Sequence, residues 1–391
     1  MTPPTPTQSF PVVLPGDAEQ AVLVGRLHDP EVAGPCLVVV HGEELVDLTS
    51  REAPTMSRLL TADDVLDRVD AVRQDATRRR WRLDQLGTAD GPHLLAPVDL
   101  QVIKACGVTF VDSMLERVIE ERAGGDPAVA LALRTELADV IGGAISSVRP
   151  GSEEASKVKQ VLQDRGLWSQ YLEVGIGPDP EVFTKAPVLS AVGHGAGVGI
   201  LAASRWNNPE PEVVLAVRPD GRCVGATLGN DVNLRDIEGR SALLLGRAKD
   251  NNASTAIGPF LRLFDDNFTL DTVRGLDVDL TVRGASDAFE MTGHSSMSRI
   301  SRDPLELVAA TMGEHHQYPD GVALFTGTLF APVQDRDTPG GGFTHKVGDV
   351  VSISAPELGT LTNVVGLSEE LPRWRAGIWE LVTNLRGRGL L

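Results

Sequence analysis

Cysteine is scarce in this chain: Cys36, Cys106 and Cys223 are the only three among 391 residues, far apart and odd in number. Such spacing supports neither a disulfide framework nor a thiolate metal site, and it fits a reduced, cytoplasmic setting. Basic charge is also short. Thirty-six Lys and Arg face 54 Asp and Glu, a net charge of −18, and that field repels a phosphate backbone and argues against a nucleic-acid partner. No apolar run approaches the ~18 residues needed to span a bilayer, so a membrane role is not expected. Residues 1–9, rich in Pro and Thr, lack the apolar stretch of a signal peptide and read as an unstructured start. Internal repeats, G-x-G-x-x-G and P-loop patterns are missing too. What is present is ordinary globular composition, 42% apolar and 23% charged, at a length suited to two or three domains.

Two β-rich runs, 21–26 and 36–41, open the chain. A helix is expected over 62–80, where Val65, Val69 and Val72 form an apolar stripe and Arg78, Arg79 and Arg80 form its solvated end. The Gly/Pro/Asp-rich stretch 87–97 places a domain boundary near 99, dividing the chain into 1–99 and 100–391. Helical patterns follow over 112–123, 127–148 and 152–165. From Val182 onward short apolar runs alternate with turn signals, interrupted by helices at 236–247 and 304–314. The pattern predicts an α+β chain: a small amino-terminal α+β domain and a β-dominated body.

The most informative stretch runs from Trp206 to Asp231. Pro219-Asp220-Gly221 is a turn between two apolar runs, so the stretch reads as a β-hairpin. Pairing residue n with roughly 439 − n returns Asp231 to the level of Asn208 to Glu210. Glu210 and Glu212 are two apart on an extended chain and share a face. Pro211 between them cannot donate to a ladder, which suggests an edge strand or an irregular strand start. Three carboxylates brought that close require a cation, and hard oxygen ligands with room for water or substrate suit Mg²⁺ or Mn²⁺. Alternatively, Glu210 and Glu212 merely flank a surface turn.

Glu210-Pro-Glu212, Gly229-Asn-Asp231, Arg235-Asp236, Lys249 and Thr326-Gly-Thr328, in that order, resemble the fumarylacetoacetate hydrolase superfamily over 97–365. The resemblance implies a β-rich, roll-like catalytic domain and a homodimer or homotetramer. It also implies that Glu210, Glu212 and Asp231 hold the cation, that Lys249 sits beside it, and that Thr328 meets the substrate carboxylate. Hydrolases of this superfamily carry a His–Glu dyad early in the catalytic domain. Here the His position is Ser113, whose hydroxyl cannot serve as an imidazole base, while Glu116 remains. The stretch from Pro180 to Lys185 is instead similar to the metal-dependent 2-keto-3-deoxy-sugar-acid dehydratases, which place an acid at the Glu181 position.

That resemblance implies a hydro-lyase acting on a 2-keto-3-deoxy pentonate and yielding 2,5-dioxopentanoate. The cation would take the 2-keto acid's oxygens and stabilise the negative charge left when C3 loses a proton. Lys249 is the candidate base, a role that needs its pKa well below ~10.4. Glu181 is the candidate acid for the C4 hydroxyl. Lys185 and Arg235 are expected at the substrate; Arg235 could instead pair with Asp236 or Glu238 on its own helix. The alternative activity is hydrolysis of an acylpyruvate or diketo acid, with Glu116 and a water in place of the dyad.

Overall fold

The computed structural model describes residues 10–88, 91–124, 126, 128–130, 148–330, 332, 334–338 and 342–391. The amino-terminal start (1–9) and most of the helix expected over 127–148 lie outside the described residues. Among the described residues sixteen strands carry the fold, beginning with β1 (Leu23–Asp29), β2 (Gly34–His41), β3 (Glu44–Asp47), β4 (Arg80–Arg82), β5 (His93–Leu95) and β6 (Val102–Gly107). β7 (Glu181–Ala186), β8 (Gly197–Ile200), β9 (Pro211–Val217), β10 (Cys223–Asp231) and β11 (Thr255–Leu263) follow. β12 (Asp277–Arg283), β13 (Glu290–Ser296), β14 (Val322–Phe325), β15 (Val350–Ala355) and β16 (Gly359–Leu367) complete the set.

Two sheets form. The larger runs β4-β3-β2-β1-β11-β10-β9-β14-β6-β7, and the smaller β13-β12-β15-β16-β8. β1 is shared: Leu23 and Val24 pair with β11, while Arg26 to His28 pair with β5. The amino-terminal strands are thus hydrogen-bonded into the sheet that carries the central hairpin. The two sheets meet over one core, in which Val213, Leu215 and Leu228 pack with Leu280, Ile353 and Leu361. Strand chemistry explains the layering. In β12, Val278, Leu280 and Val282 point inward while Asp277, Asp279 and Arg283 stay outside, the alternation of a sheet with one wet face. β9 is buried along its whole length. Each Val or Leu so buried contributes roughly 1.5–3 kcal/mol. The architecture is α+β, as the pattern predicts.

The central hairpin forms with its turn at Pro219-Asp220-Gly221, where Gly221 takes φ +83°. Its register differs from the expected one. Cys223 faces Val217, a bulge follows, and beyond it Glu212 faces Gly229 and Pro211 faces Asn230. The extra residue carries Asp231 to the level of Glu210, whose carbonyl accepts its N–H at 3.0 Å. Pro211 does not mark an edge: β9 lies between β10 and β14, and Pro211 is its first residue, where no ladder donor is needed.

Two expected helices are interrupted. Helix Val65–Gln74 stops because Asp75 accepts the Thr77 N–H and hydroxyl, a local turn, and the chain then enters β4 beside β3. Arg79 pairs with Asp29 and Glu31, and Arg80, the first residue of β4, with Glu44, so the basic run lies in the connection into a strand and not at a helix end. The expected 236–247 helix becomes Arg235–Glu238, a 3₁₀ turn and Leu245–Lys249, since Ser241 caps a new start after Gly239. The other helices hold: Val111–Ala123 ends at left-handed Gly124, Glu153–Asp164 is capped by Ser152, and Pro304–Thr311 by Asp303. Helix Val111–Ala123 lays Met114 and Val118 in one apolar cluster with Leu172 and Ile176 of helix Gln170–Ile176, and from the flank of that face its Arg117 reaches Glu210. Among the described residues no helix is long and apolar enough to cross a membrane.

Candidate active site

The hairpin and its neighbours converge on a cavity of ≈ 20 Å³, the room of about one ion or water. Glu210 precedes β9, Glu212 lies in it and Asp231 ends β10, so the bulged register brings the three carboxylates to within 4.8 Å of one another. All three are at least 96% buried. Two of the three have cationic partners. Lys249 Nζ donates to Glu210 Oε2 at 2.5 Å and to Asp231 Oδ2 at 3.1 Å, and Lys185 Nζ lies 2.9 Å from Asp231 Oδ1. Arg117 pairs with the other oxygen of Glu210. Glu212 accepts only the Gly327 N–H, at 2.6 Å, and no Lys or Arg among the described residues stands within ion-pair distance of it.

The electrostatics follow from these partners. Burial, then the neighbouring Asp231 and Glu210, push Glu212 well above the usual carboxylate range. Burial also raises Glu210, and Lys249 and Arg117 only partly oppose it. Asp231 is lowered, because Lys185 and Lys249 outweigh its burial. A buried carboxylate with no counter-charge, next to two others, is the environment a hard divalent cation relieves, so the residues fit such an ion. Burial favours a neutral Lys249, yet Asp231, Glu210 and Glu238 prevail and raise it. The lowered pKa that a lysine base requires is therefore not a property of the metal-free site.

Glu181 opens β7 opposite Gly107 of β6 and lines the same cavity. Burial, and then the charge of Glu238, push its carboxyl up to about 7. Thr328 and Phe183 also line the cavity, with Lys249 Nζ 5.9 Å from the Phe183 ring centre. Ser113 is there too, but its hydroxyl donates to the Phe110 carbonyl at 2.9 Å within its own helix.

Two residues expected at the substrate are elsewhere. Lys185 is fully buried behind Asp231, with the Val232 and Lys249 carbonyls and, at 3.5 Å, the Ser254 hydroxyl as its other partners; it stands beyond Glu181 and Phe183 along β7, where the register against β6 slips, and does not line the cavity. Arg235 turns away as well. It bonds Glu120 at 2.6 Å, Glu116 at 3.2 Å and the Pro332 carbonyl at 3.0 Å, with Trp206 beneath its guanidinium at 4.2 Å. Neither alternative for Arg235 on its own helix is realised. The same bonds occupy Glu116. Sequence reasoning missed Arg117 and Glu238. Arg117 binds Glu120 at 2.6 Å, Glu238 at 3.0 Å and Glu210, joining three buried carboxylates from three segments. The one available signal was Arg117 standing one helical turn after cavity-facing Ser113.

Residues 173–366 match the fumarylacetoacetate (FAA) hydrolase C-terminal domain. Over 216 residues the chain is 32% identical to a probable 2-keto-3-deoxyxylonate dehydratase of Haloferax volcanii, covering 55% of this chain and 68% of that one. The chain belongs to the fumarylacetoacetate hydrolase family. A second relative, the 2-dehydro-3-deoxy-D-arabinonate dehydratase of Saccharolobus solfataricus, is 29% identical over 186 residues, 48% of this chain and 58% of the relative. Among solved structures, a 2-keto-3-deoxy-D-arabinonate dehydratase complexed with magnesium and 2,5-dioxopentanoate superposes with a TM-score of 0.60. It is 20% identical and covers 88% of this chain and 99% of that one. The apo form superposes with a TM-score of 0.59 at 18% identity and the same coverage. At that identity the superposition shows a common fold.

Proposed function

We propose that the protein is a magnesium-dependent hydro-lyase that removes water from a 2-keto-3-deoxy pentonate and gives 2,5-dioxopentanoate. The observation that carries this reading is Glu181: a carboxyl pushed up to about 7, facing the carboxylate triad and Lys249 across one cavity. A half-buried acid that holds its proton near neutrality is what departure of a C4 hydroxyl requires. The dehydratase relatives and the magnesium and 2,5-dioxopentanoate named for a protein of the same fold support it.

A divalent cation held by Glu210, Glu212 and Asp231 would supply Lewis-acid polarisation of the 2-keto group, and Mn²⁺ could take the place of Mg²⁺ there. Lys249, freed of its bonds to Glu210 and Asp231, would keep the burial that lowers an amine and could accept the C3 proton. Protonated Glu181 would deliver its proton to the C4 hydroxyl, which leaves as water. The C3=C4 alkene so formed would give the aldehyde when C5 and its hydroxyl each lose a proton and C3 and C4 each gain one. Thr328 would hold the substrate carboxylate at the cavity wall.

The acylpyruvate-hydrolase alternative needs a base to activate water. Ser113 gives its hydroxyl to a helix carbonyl, and Glu116 is tied to Arg235, so neither supplies one. The test is to incubate the protein with 2-keto-3-deoxy pentonate and with an acylpyruvate, each with and without EDTA, and to follow aldehyde formation and C–C cleavage. EDTA-sensitive release of 2,5-dioxopentanoate is expected. Faster cleavage of the acylpyruvate would hand the site to the hydrolase reading.

A further inference from the structure

Short helix Arg235–Glu238 and helix Val111–Ala123 meet through matched charges. Arg235 and Glu238 are one helical turn apart, as are Arg117 and Glu120, so each pair shares a helix face. The partners are taken across the gap: Arg235 pairs with Glu120 at 2.6 Å, and Arg117 with Glu238 at 3.0 Å. Asp236 also holds the short helix in place, accepting the Ser204 hydroxyl and the Arg205 N–H, each at 2.8 Å. Glu238 is therefore a fixed carboxylate, 4% exposed, and it lines the carboxylate cavity together with Glu181 and Lys249.

Of these four charged groups, Glu238 is the one short of a hydrogen bond. Arg117 aligns Nη1 on Glu120 at 2.6 Å and Nη2 on Glu210, so its approach to Glu238 is a charge contact outside hydrogen-bond alignment. Among the described residues Glu238 Oε2 is buried without a donor. Buried acceptors are rarely left so, and the missing donor is one that a ligand can bring. Glu238 also stands close to the proposed chemistry. One guanidinium separates it from the candidate metal ligand Glu210, and after burial its charge is the largest influence raising the Glu181 carboxyl.

In the dehydratase reading, the cation takes the keto-acid end of the substrate and Glu181 the C4 hydroxyl. The C5 hydroxyl, the group that becomes the aldehyde, has no partner assigned. Among the other cavity side chains, Cys106, Val108 and Phe183 offer no strong acceptor, Arg117 is committed to three carboxylates, and Ser113 gives its hydroxyl to the Phe110 carbonyl. We propose that Glu238 is a specificity-determining residue for the C5 hydroxyl, accepting a hydrogen bond from it on the free carboxylate oxygen. The inference rests on the dehydratase reading of the site. A bond of this kind is charge-assisted and strong, and a ligand without the hydroxyl would leave the buried oxygen unpaired, which is how such sites reject it.

The test is calorimetry on the full chain with Mg²⁺, using two unreactive mimics of the keto acid, N-(2-hydroxyethyl)oxamate and N-ethyloxamate. The first carries a hydroxyl at the place of C5, the second does not, and neither can be dehydrated. The wild type is expected to bind the hydroxylated mimic roughly tenfold or more tightly. Glu238→Gln, which keeps an acceptor without the charge, should narrow that preference, and Glu238→Met should erase it. Both variants should bind N-ethyloxamate within about threefold of the wild type. Three results would overturn the proposal. Equal affinity of the wild type for the two mimics would show that the hydroxyl is not held, and that comparison needs no variant to fold. An undiminished preference in both variants would place the hydroxyl on another group, Ser113 foremost. Equal weakening of both mimics would make Glu238 a brace for Arg117 and no more. In each of these cases EDTA-sensitive release of 2,5-dioxopentanoate by the wild type would leave the dehydratase reading standing, so the two can fail separately.

Discussion

Glu181 and Gly107 face each other across β6 and β7, and the Glu181 carboxylate fills the space that a Cβ at position 107 would take. The absence of a side chain on one strand sets the position of the candidate acid on the next. Gly107→Ala should leave the protein folded, since a flexible carboxylate can swing aside, but should lower turnover by at least ~10-fold through a misplaced acid. Calorimetry should find Mg²⁺ affinity within a factor of about two of the wild type. Equal loss of metal binding would show that the substitution disturbs the triad instead.

Glu212 is a buried carboxylate without a cationic partner among the described residues, a state that favours its neutral form. Glu212→Gln keeps its shape and its acceptor for the Gly327 N–H. In EDTA the variant should therefore be as stable as wild type or more so, by up to ~1–3 kcal/mol in urea unfolding. Mg²⁺ should raise the melting temperature of the wild type and not of the variant. A variant that is both less stable without metal and still stabilised by it would contradict this account.

For Glu181 the pH dependence has a definite sign. Burial pushes its folded-state carboxyl up to about 7, above the ordinary glutamate value of 4.5. The stability it contributes is fully present below the unfolded pKa and is lost as pH rises through about 7. The loss is at most roughly 3 kcal/mol, less because one edge of the residue meets solvent. In EDTA, Glu181→Gln should flatten that part of the stability profile between pH 4.5 and 7. With Mg²⁺ and substrate the same variant should lose at least ~10²-fold in rate. Full activity in the variant would remove Glu181 from the chemistry.

Arg117 neutralises Glu120, Glu238 and Glu210 together. Arg117→Met should destabilise the protein by about 3–5 kcal/mol, because it strands buried charges, and Arg117→Lys should recover only part of that. Chemical denaturation of the two variants would measure the difference. A neutral effect of Arg117→Met would mean that the three carboxylates are protonated or hydrated in solution.

The legible part of the site was local. An alternating E-x-E, a turn with a mechanism and a returning Asp state the hairpin in the sequence itself, and only the bulge after Cys223, which shifts the register to favour Asp231, was hidden. The resemblance added Lys249 and Glu181 at the positions where the cavity has them. Arg117 and Glu238 were hidden for a different reason. On a helix a charged residue looks the same whether it meets water or a buried partner, and the docking of helix Val111–Ala123 on helix Gln170–Ile176 decides which. Lys185 and Arg235 fail in the converse way: a cation near a candidate ligand in sequence can brace that ligand's neighbourhood from behind. Helix 62–80 broke where Asp75 offered its side chain to the backbone, a local competition that periodicity does not register.

The pairing of β1 with β11 has a practical consequence for anyone dividing the chain. A version beginning after residue 99 would lose β1, and with it the only strand among the described residues that covers the outer side of β11, directly behind the strand bearing Asp231. Its bared, apolar ladder would invite association with another copy's edge, and aggregation would then mimic a loss of function. Excision of the catalytic body therefore calls for a replacement edge, such as a charged or proline-bearing strand, before activity is measured.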